Sequence, residues 1–99
     1  DLVGSYLPDM READDDVMSR AALLCMDTRA GHDCTGDIIQ PMESGVINFE
    51  DIRADLFELA TSAHAGRASD SDITVFKNIG GGHLDLFTAM ALHQRVAEI

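Results

Sequence analysis

Apolar and polar positions fall in blocks along the 99-residue chain. Asp14, Asp15 and Asp16 precede Val17-Met18 and Ala21-Ala22. Acidic side chains complement the positive end of a helix macrodipole, so this pattern predicts a helix over 13–21. Ala22-Leu23-Leu24-Cys25-Met26 follows as an uninterrupted apolar run ending at Asp27. Such a run suits a strand covered on both faces, as in a parallel sheet, with Cys25 as a small buried hydrophobe. Gly31, Gly36, Pro41 and Gly45 punctuate 29–45, which reads as loop plus a short helical turn. From 49 to 64, Ile52, Leu56, Leu59, Ala60 and Ala63 recur at helical spacing. Asn48 suits the N-cap, Glu50 and Asp51 the first turn, His64 the last turn and Gly66 the stop, so a helix is expected there.

Ile73-Thr74-Val75-Phe76 is β-branched and aromatic, which predicts a strand. After Gly80-Gly81-Gly82, residues 83–97 read as a helix with apolar side chains on nearly every face. A helix of that kind must be buried on more than one side. Leu2-Val3-Gly4-Ser5 looks like the last residues of a strand. Strand–helix alternation implies parallel strands joined by right-handed crossovers. The expected fold class is therefore α/β: a partial Rossmann-like three-layer domain, with about three parallel strands flanked by helices. Residues 1–99 are expected to form one domain.

Seven basic residues stand against 18 acidic ones, a formal net charge of −11. Residues 1–58 carry most of that excess, with 14 acids and 4 bases. A surface this negative excludes nucleic acid and anionic membrane as natural partners, since both require a basic footprint. No apolar run approaches the ~18 residues of a membrane span and no signal-peptide pattern opens the chain, so a cytoplasmic setting is expected. Two cysteines are too few for a disulfide scaffold.

Several clusters have plain structural readings. The aspartate triplet is a solvated helix start, lacking the loop glycine of an EF-hand. His32-Asp33-Cys34 cannot turn three adjacent side chains on one ion without an unusual loop, so no metal is assigned. Arg11 and Glu12 pair locally or cap the helix that follows. Lys77, the one lysine, sits near any bound anion or guards a sheet edge. Gly80 and Gly82 make a G-x-G, but Asp85 stands where a third glycine would complete a dinucleotide fingerprint.

Three segments together carry a resemblance: Val3 through Glu12; Gly36-Asp37-Ile38-Ile39-Gln40-Pro41 with Gly45-Val46-Ile47; and Gly66-Arg67 with Asp72 through Gly80. In this order and spacing the chain resembles the C-terminal half of the NAD(P)-binding Rossmann domain of the ornithine cyclodeaminase/mu-crystallin family. The resemblance spans essentially all 99 residues and implies NAD or NADP as cofactor. Family members are about three times longer, so the chain resembles a piece of one. It also implies that Gly4 and Ser5 end a strand beside the cofactor and that Asn78, Ile79 and Gly80 end the last strand near the nicotinamide ring. Tyr6 falls where ornithine cyclodeaminase itself has an acid/base aspartate. A phenol, titrating near ~10 in free tyrosine, is a weak general base at neutral pH. That departure points away from ornithine cyclisation and towards the reductase or crystallin-like branches.

Two expectations about function follow. The first is a truncated dinucleotide-binding half-domain that does no chemistry alone and self-associates as a homodimer, completing its sheet and covering its apolar last helix. The second is an NAD(P)-dependent ketimine or imino acid reductase, or a cyclodeaminase-like activity, rebuilt in an oligomer or with a partner chain.

Overall fold

The computed structural model describes residues 1–99. Helix α1 spans Asp15–Arg20, strand β1 Leu23–Met26, helix α2 Gly36–Glu43, strand β2 Ile52–Asp55, helix α3 Leu56–Ala60, strand β3 Thr74–Lys77 and helix α4 Gly82–Ala97. Asp14 caps α1 by accepting from the Val17 N–H at 3.0 Å, with Asp15 and Asp16 in the first turn and Arg20 in the last.

All three strands are parallel, in the order β2-β1-β3. Leu24 lies opposite Val75, Cys25 opposite Phe76 and Met26 opposite Lys77. The last strand therefore sits beside the first rather than after the second. The expected N-terminal strand shrinks to one bridge: Leu2 pairs with Lys77, donating to the Phe76 carbonyl at 2.9 Å and accepting from the Asn78 N–H at 2.9 Å. The predicted α/β class with a short parallel sheet is what the structure holds.

Leu24, Met26, Ile52 and Val75 are buried with Ala13, Met18 of α1, Ile38 of α2 and Ile47. Each large apolar side chain removed from water in this way stabilises the fold by ~1.5–3 kcal/mol. On the other face Leu23, Thr74 and Phe76 are half-buried and Cys25 is buried, with Leu59 of α3 bordering them.

Three expectations need correcting. The helix expected over 49–64 is a 3-10 turn at Phe49–Asp51, then β2, then the five-residue α3. Ile52 and Ala54 are buried while Arg53 is exposed, a two-residue alternation hidden inside apparently helical spacing. Asn48 does form a capping box with Asp51, but around the 3-10 turn. Asp55 then ends the strand and caps α3 through the Glu58 N–H at 2.9 Å. His64 and Gly66 lie beyond the end of α3 at Ala60, so neither terminates it; the Gly66 N–H instead donates to His64 Nδ1 at 2.9 Å.

Second, 29–45 holds a full two-turn helix, α2, that runs through Pro41. Thr35 caps it by accepting from the Asp37 N–H at 3.2 Å. Third, Lys77 is no solvent-facing edge charge, but lies in β3 with no exposed surface. The helix expected over 83–97 forms as α4, yet none of its residues is buried within this chain.

Candidate functional site at the carboxyl ends of the strands

In open parallel sheets, ligands sit beyond the carboxyl ends of the strands. Here that edge is built by the ends of β1 and β3 and by the segment 4–12. Asp27, fully buried just after β1, joins them. Its N–H donates to the Lys77 carbonyl at 3.2 Å, and its carbonyl accepts from the Leu56 N–H at 3.4 Å. Its carboxylate accepts from two successive backbone groups, the N–H of Ile79 at 3.2 Å and of Gly80 at 3.3 Å.

The turn held in this way contains three of the residues singled out from sequence. Asn78 follows β3 directly, and its side-chain carbonyl accepts from the Gly80 N–H at 2.7 Å. Ile79 is half-buried and packs against the core cluster. Gly80 has φ +79°, a left-handed conformation that costs glycine nothing, and the space around its Cα is open.

Gly4, Ser5 and Tyr6 lie on the segment that Leu2 ties to β3. The Gly4 and Ser5 N–H groups both donate to Glu12 Oε1, the second at 3.2 Å. Ser5 is buried; its hydroxyl donates to the Met10 carbonyl and lies 2.7 Å from Thr35 Oγ1. Tyr6 is 61% exposed. The segment presses on the start of α2, where a Cβ on Gly36 would lie 2.4 Å from the Met10 carbonyl oxygen, so only glycine fits. The Gly36 N–H donates to the Leu7 carbonyl at 3.0 Å.

Beneath this segment is a charge cluster that sequence reasoning missed. Asp37, fully buried in the first turn of α2, accepts at Oδ1 from the Glu12 and Ala13 N–H groups, each at 2.9 Å. Its Oδ2 lies 3.2 Å from Lys77 Nζ, and Glu12 Oε1 lies 3.8 Å from the same nitrogen. A lone lysine inside a β-branched run, with acids upstream, was the available signal. Arg11 pairs with Asp15 rather than with Glu12, and with the Ser44 hydroxyl this holds the Asp15 carboxyl below its ordinary range.

The other candidates are placed away from this edge or take structural roles. Burial pushes the Cys25 thiol above its ordinary value. Arg29 bonds Glu58 and the Ile52 carbonyl, and the Glu58 carboxylate raises it further. The His32 ring meets Phe49 edge-on with centroids 5.0 Å apart, and Cys34 is exposed.

A three-stranded parallel sheet flanked by helices places the chain in the Rossmann-like α/β class. The model of the ornithine cyclodeaminase/mu-crystallin family matches residues 1–99. The chain belongs to that family. It is 46% identical over 91 residues to Delta(1)-pyrroline-2-carboxylate reductase of Paracoccus denitrificans, covering 90% of this chain and 28% of that protein. It is 40% identical to Protein SAR DEFICIENT 4 of Arabidopsis thaliana, covering 95% of this chain and 29% of that one. Delta(1)-pyrroline-2-carboxylate reductase of Thermococcus litoralis, whose structure holds NADH and L-proline, superposes with TM-score 0.70 at 36% identity over 74% of this chain and 23% of that one. An archaeal alanine dehydrogenase dimer with bound NAD superposes with TM-score 0.80 at 26% identity, over 97% of this chain and 30% of that one. The chain thus spans less than a third of the length of these relatives.

Two glycines after β3 stand open at this edge. A Cβ at Gly80 or at Gly82 would meet nothing within 4 Å. The two do not complete a diphosphate fingerprint, because Asp85 occupies its third glycine position. No helix is long and apolar enough to cross a membrane.

Proposed function

We propose that residues 1–99 form, as one domain, the back half of an NAD(P)-binding domain, lining the nicotinamide end of the cleft and doing no chemistry alone. The observation that carries this reading is the meeting of two segments at one carboxyl edge: Gly4-Ser5-Tyr6 and Asn78-Ile79-Gly80, joined through the Leu2–Lys77 bridge. Gly4, Ser5, Asn78, Ile79 and Gly80 would border the nicotinamide ring, which supplies or accepts hydride when bound. Tyr6, exposed at the same edge, stands in the family's acid/base position. At neutral pH a phenol holds its proton and is a poorer base than a carboxylate, so a tyrosine there suits protonation of an imine better than abstraction of a proton. The substrate class is accordingly a cyclic imino acid, in keeping with the reductases among the relatives.

The same reading makes the chain self-associating. Leu86, Phe87, Met90, Leu92 and Val96 of α4 are all exposed, and water contact at so many large side chains on one helix favours pairing.

The test has two arms. The 99-residue chain, given NADPH and Delta(1)-pyrroline-2-carboxylate, is expected to consume no NADPH. Turnover by the chain would favour the second reading, an active site rebuilt between copies. Residues 1–99 grafted in place of the matching stretch of the Paracoccus denitrificans reductase are expected to support turnover, and Tyr6→Phe to lower it. A folded but inactive graft overturns the assignment of this edge.

A further inference from the structure

The two segments at the edge are held by the same device. Glu12 takes two consecutive backbone N–H groups, of Gly4 and Ser5, and Asp27 takes two more, of Ile79 and Gly80. We propose that Glu12 and Asp27 are positioning residues, each clamping one wall of the nicotinamide end of the cleft, and that Lys77 with Asp37 anchors the first clamp. This rests on the functional reading above.

The chemistry is that of an internal anion site. Consecutive N–H groups at a turn form a concavity that attracts negative charge. Here both concavities are filled by carboxylates of the chain itself, so neither wall is free to collect a phosphate. At the first wall a Cβ on Gly4 would lie 2.9 Å from the Glu12 carboxyl, whereas Gly80 on the second stands open. Hydrogen bonds to a charged acceptor are stronger than neutral ones, so each clamp holds a loop in one shape.

The two clamps are anchored differently. Asp27 is fully buried between the ends of β1 and β3, and backbone bonds to Lys77 and Leu56 fix its own position. Glu12 is partly exposed, but its backbone N–H is held by the buried Asp37. Lys77 Nζ, with no exposed surface, lies within 3.8 Å of both Asp37 and Glu12 and has no aligned hydrogen-bond acceptor. It acts as a shared counter-charge, so the strand that leads into Asn78 also steadies the segment that carries Tyr6.

Amide hydrogen exchange of the 99-residue chain without nucleotide tests this directly. In the unaltered chain, Gly4, Ser5, Ile79 and Gly80 are expected to be protected about tenfold or more relative to unstructured peptide. Exchange of these four at the unstructured rate overturns the proposal with no variant needed. Glu12→Gln is expected to lose most of the protection at Gly4 and Ser5 while leaving Ile79, Gly80 and the strand residues Leu24 and Val75 within about twofold. Glu12→Ala should lose more than Glu12→Gln, since the amide oxygen still accepts. Asp27→Asn is expected to lose most of the protection at Ile79, with Gly80 partly kept by the Asn78 side chain, while leaving Gly4 and Ser5 within about twofold. Tyr6 is the one tyrosine in a chain without tryptophan, so its fluorescence anisotropy reports the first wall alone, and it should fall in Glu12→Gln and not in Asp27→Asn. Uniform loss of protection in either variant would mark ordinary structural roles and overturn the proposal. Since no nucleotide enters any arm, these clamps can hold even if the grafted reductase is inactive, and the two failures stay distinct.

Discussion

The two sides of the sheet receive similar side chains and end in different states. On one side Leu24, Met26, Ile52 and Val75 are closed off by Met18 and Ile38, and the polar groups among them are paired or anchored. On the other, Leu23 and Phe76 stay half-buried, and the longest helix, α4, has no buried residue. It reaches the rest of the chain at its first turn, where His83 stacks on Phe57 with ring centroids 5.7 Å apart. Apolar content alone therefore does not say where a core forms. What decides it is whether a neighbouring element is placed to cover each side chain, and α1 and α2 do so on one side only.

The largest effect expected on this contrast comes from the buried charge. Lys77→Met leaves Asp37 without its counter-ion inside the closed side, which should cost ~3–5 kcal/mol in denaturant unfolding. A change under ~1 kcal/mol would show that the lysine reaches water and that this side is less closed than described. Met26→Ala, at a residue with no exposed surface, should cost ~2–5 kcal/mol through lost burial and the cavity left behind.

A smaller effect should appear on acidification. The Arg11 guanidinium holds Asp15 below its ordinary range, so the folded state binds that proton less readily than the unfolded chain does. The resulting stability is present above the ordinary carboxylate range and is lost as pH falls through the lowered value. Arg11→Ala should flatten that part of the stability profile. The smallest effect belongs to the open side. Leu86→Ser with Leu92→Ser should move the monomer's unfolding free energy by no more than ~0.5 kcal/mol, since neither side chain is buried. The same pair should lower the mass found by light scattering if α4 joins two copies.

Much of the fold was legible because local chemistry and packing agree there. The aspartate cap of α1, the apolar run of β1, the β-branched run of β3 and the span of α4 all fall where the pattern put them. Strand β2 was hidden because Ile52, Leu56 and Leu59 also satisfy a helical repeat, and four residues are too few for a two-residue alternation to outweigh it. Helix α2 was hidden by Pro41, which normally ends a helix, although the Thr35 cap gave it a start. The strand-end residues of the candidate site came from the family resemblance. What fixes them in space, Asp27 and the Lys77–Asp37–Glu12 cluster, depends on pairings between residues 25 to 65 positions apart. No local pattern encodes such pairings.

The placement of β3 also bears on how the chain folds during synthesis. Leu2 waits for a neighbour that is translated more than seventy residues later, because Lys77 is its pairing partner. A nascent polypeptide ending before Thr74 can pair β1 with β2 but cannot join Leu2 to the sheet. Closing so long a loop is entropically costly and slow. The segment around Leu2 is therefore captured only after β3 has been made, and until then a chaperone or protease can reach it.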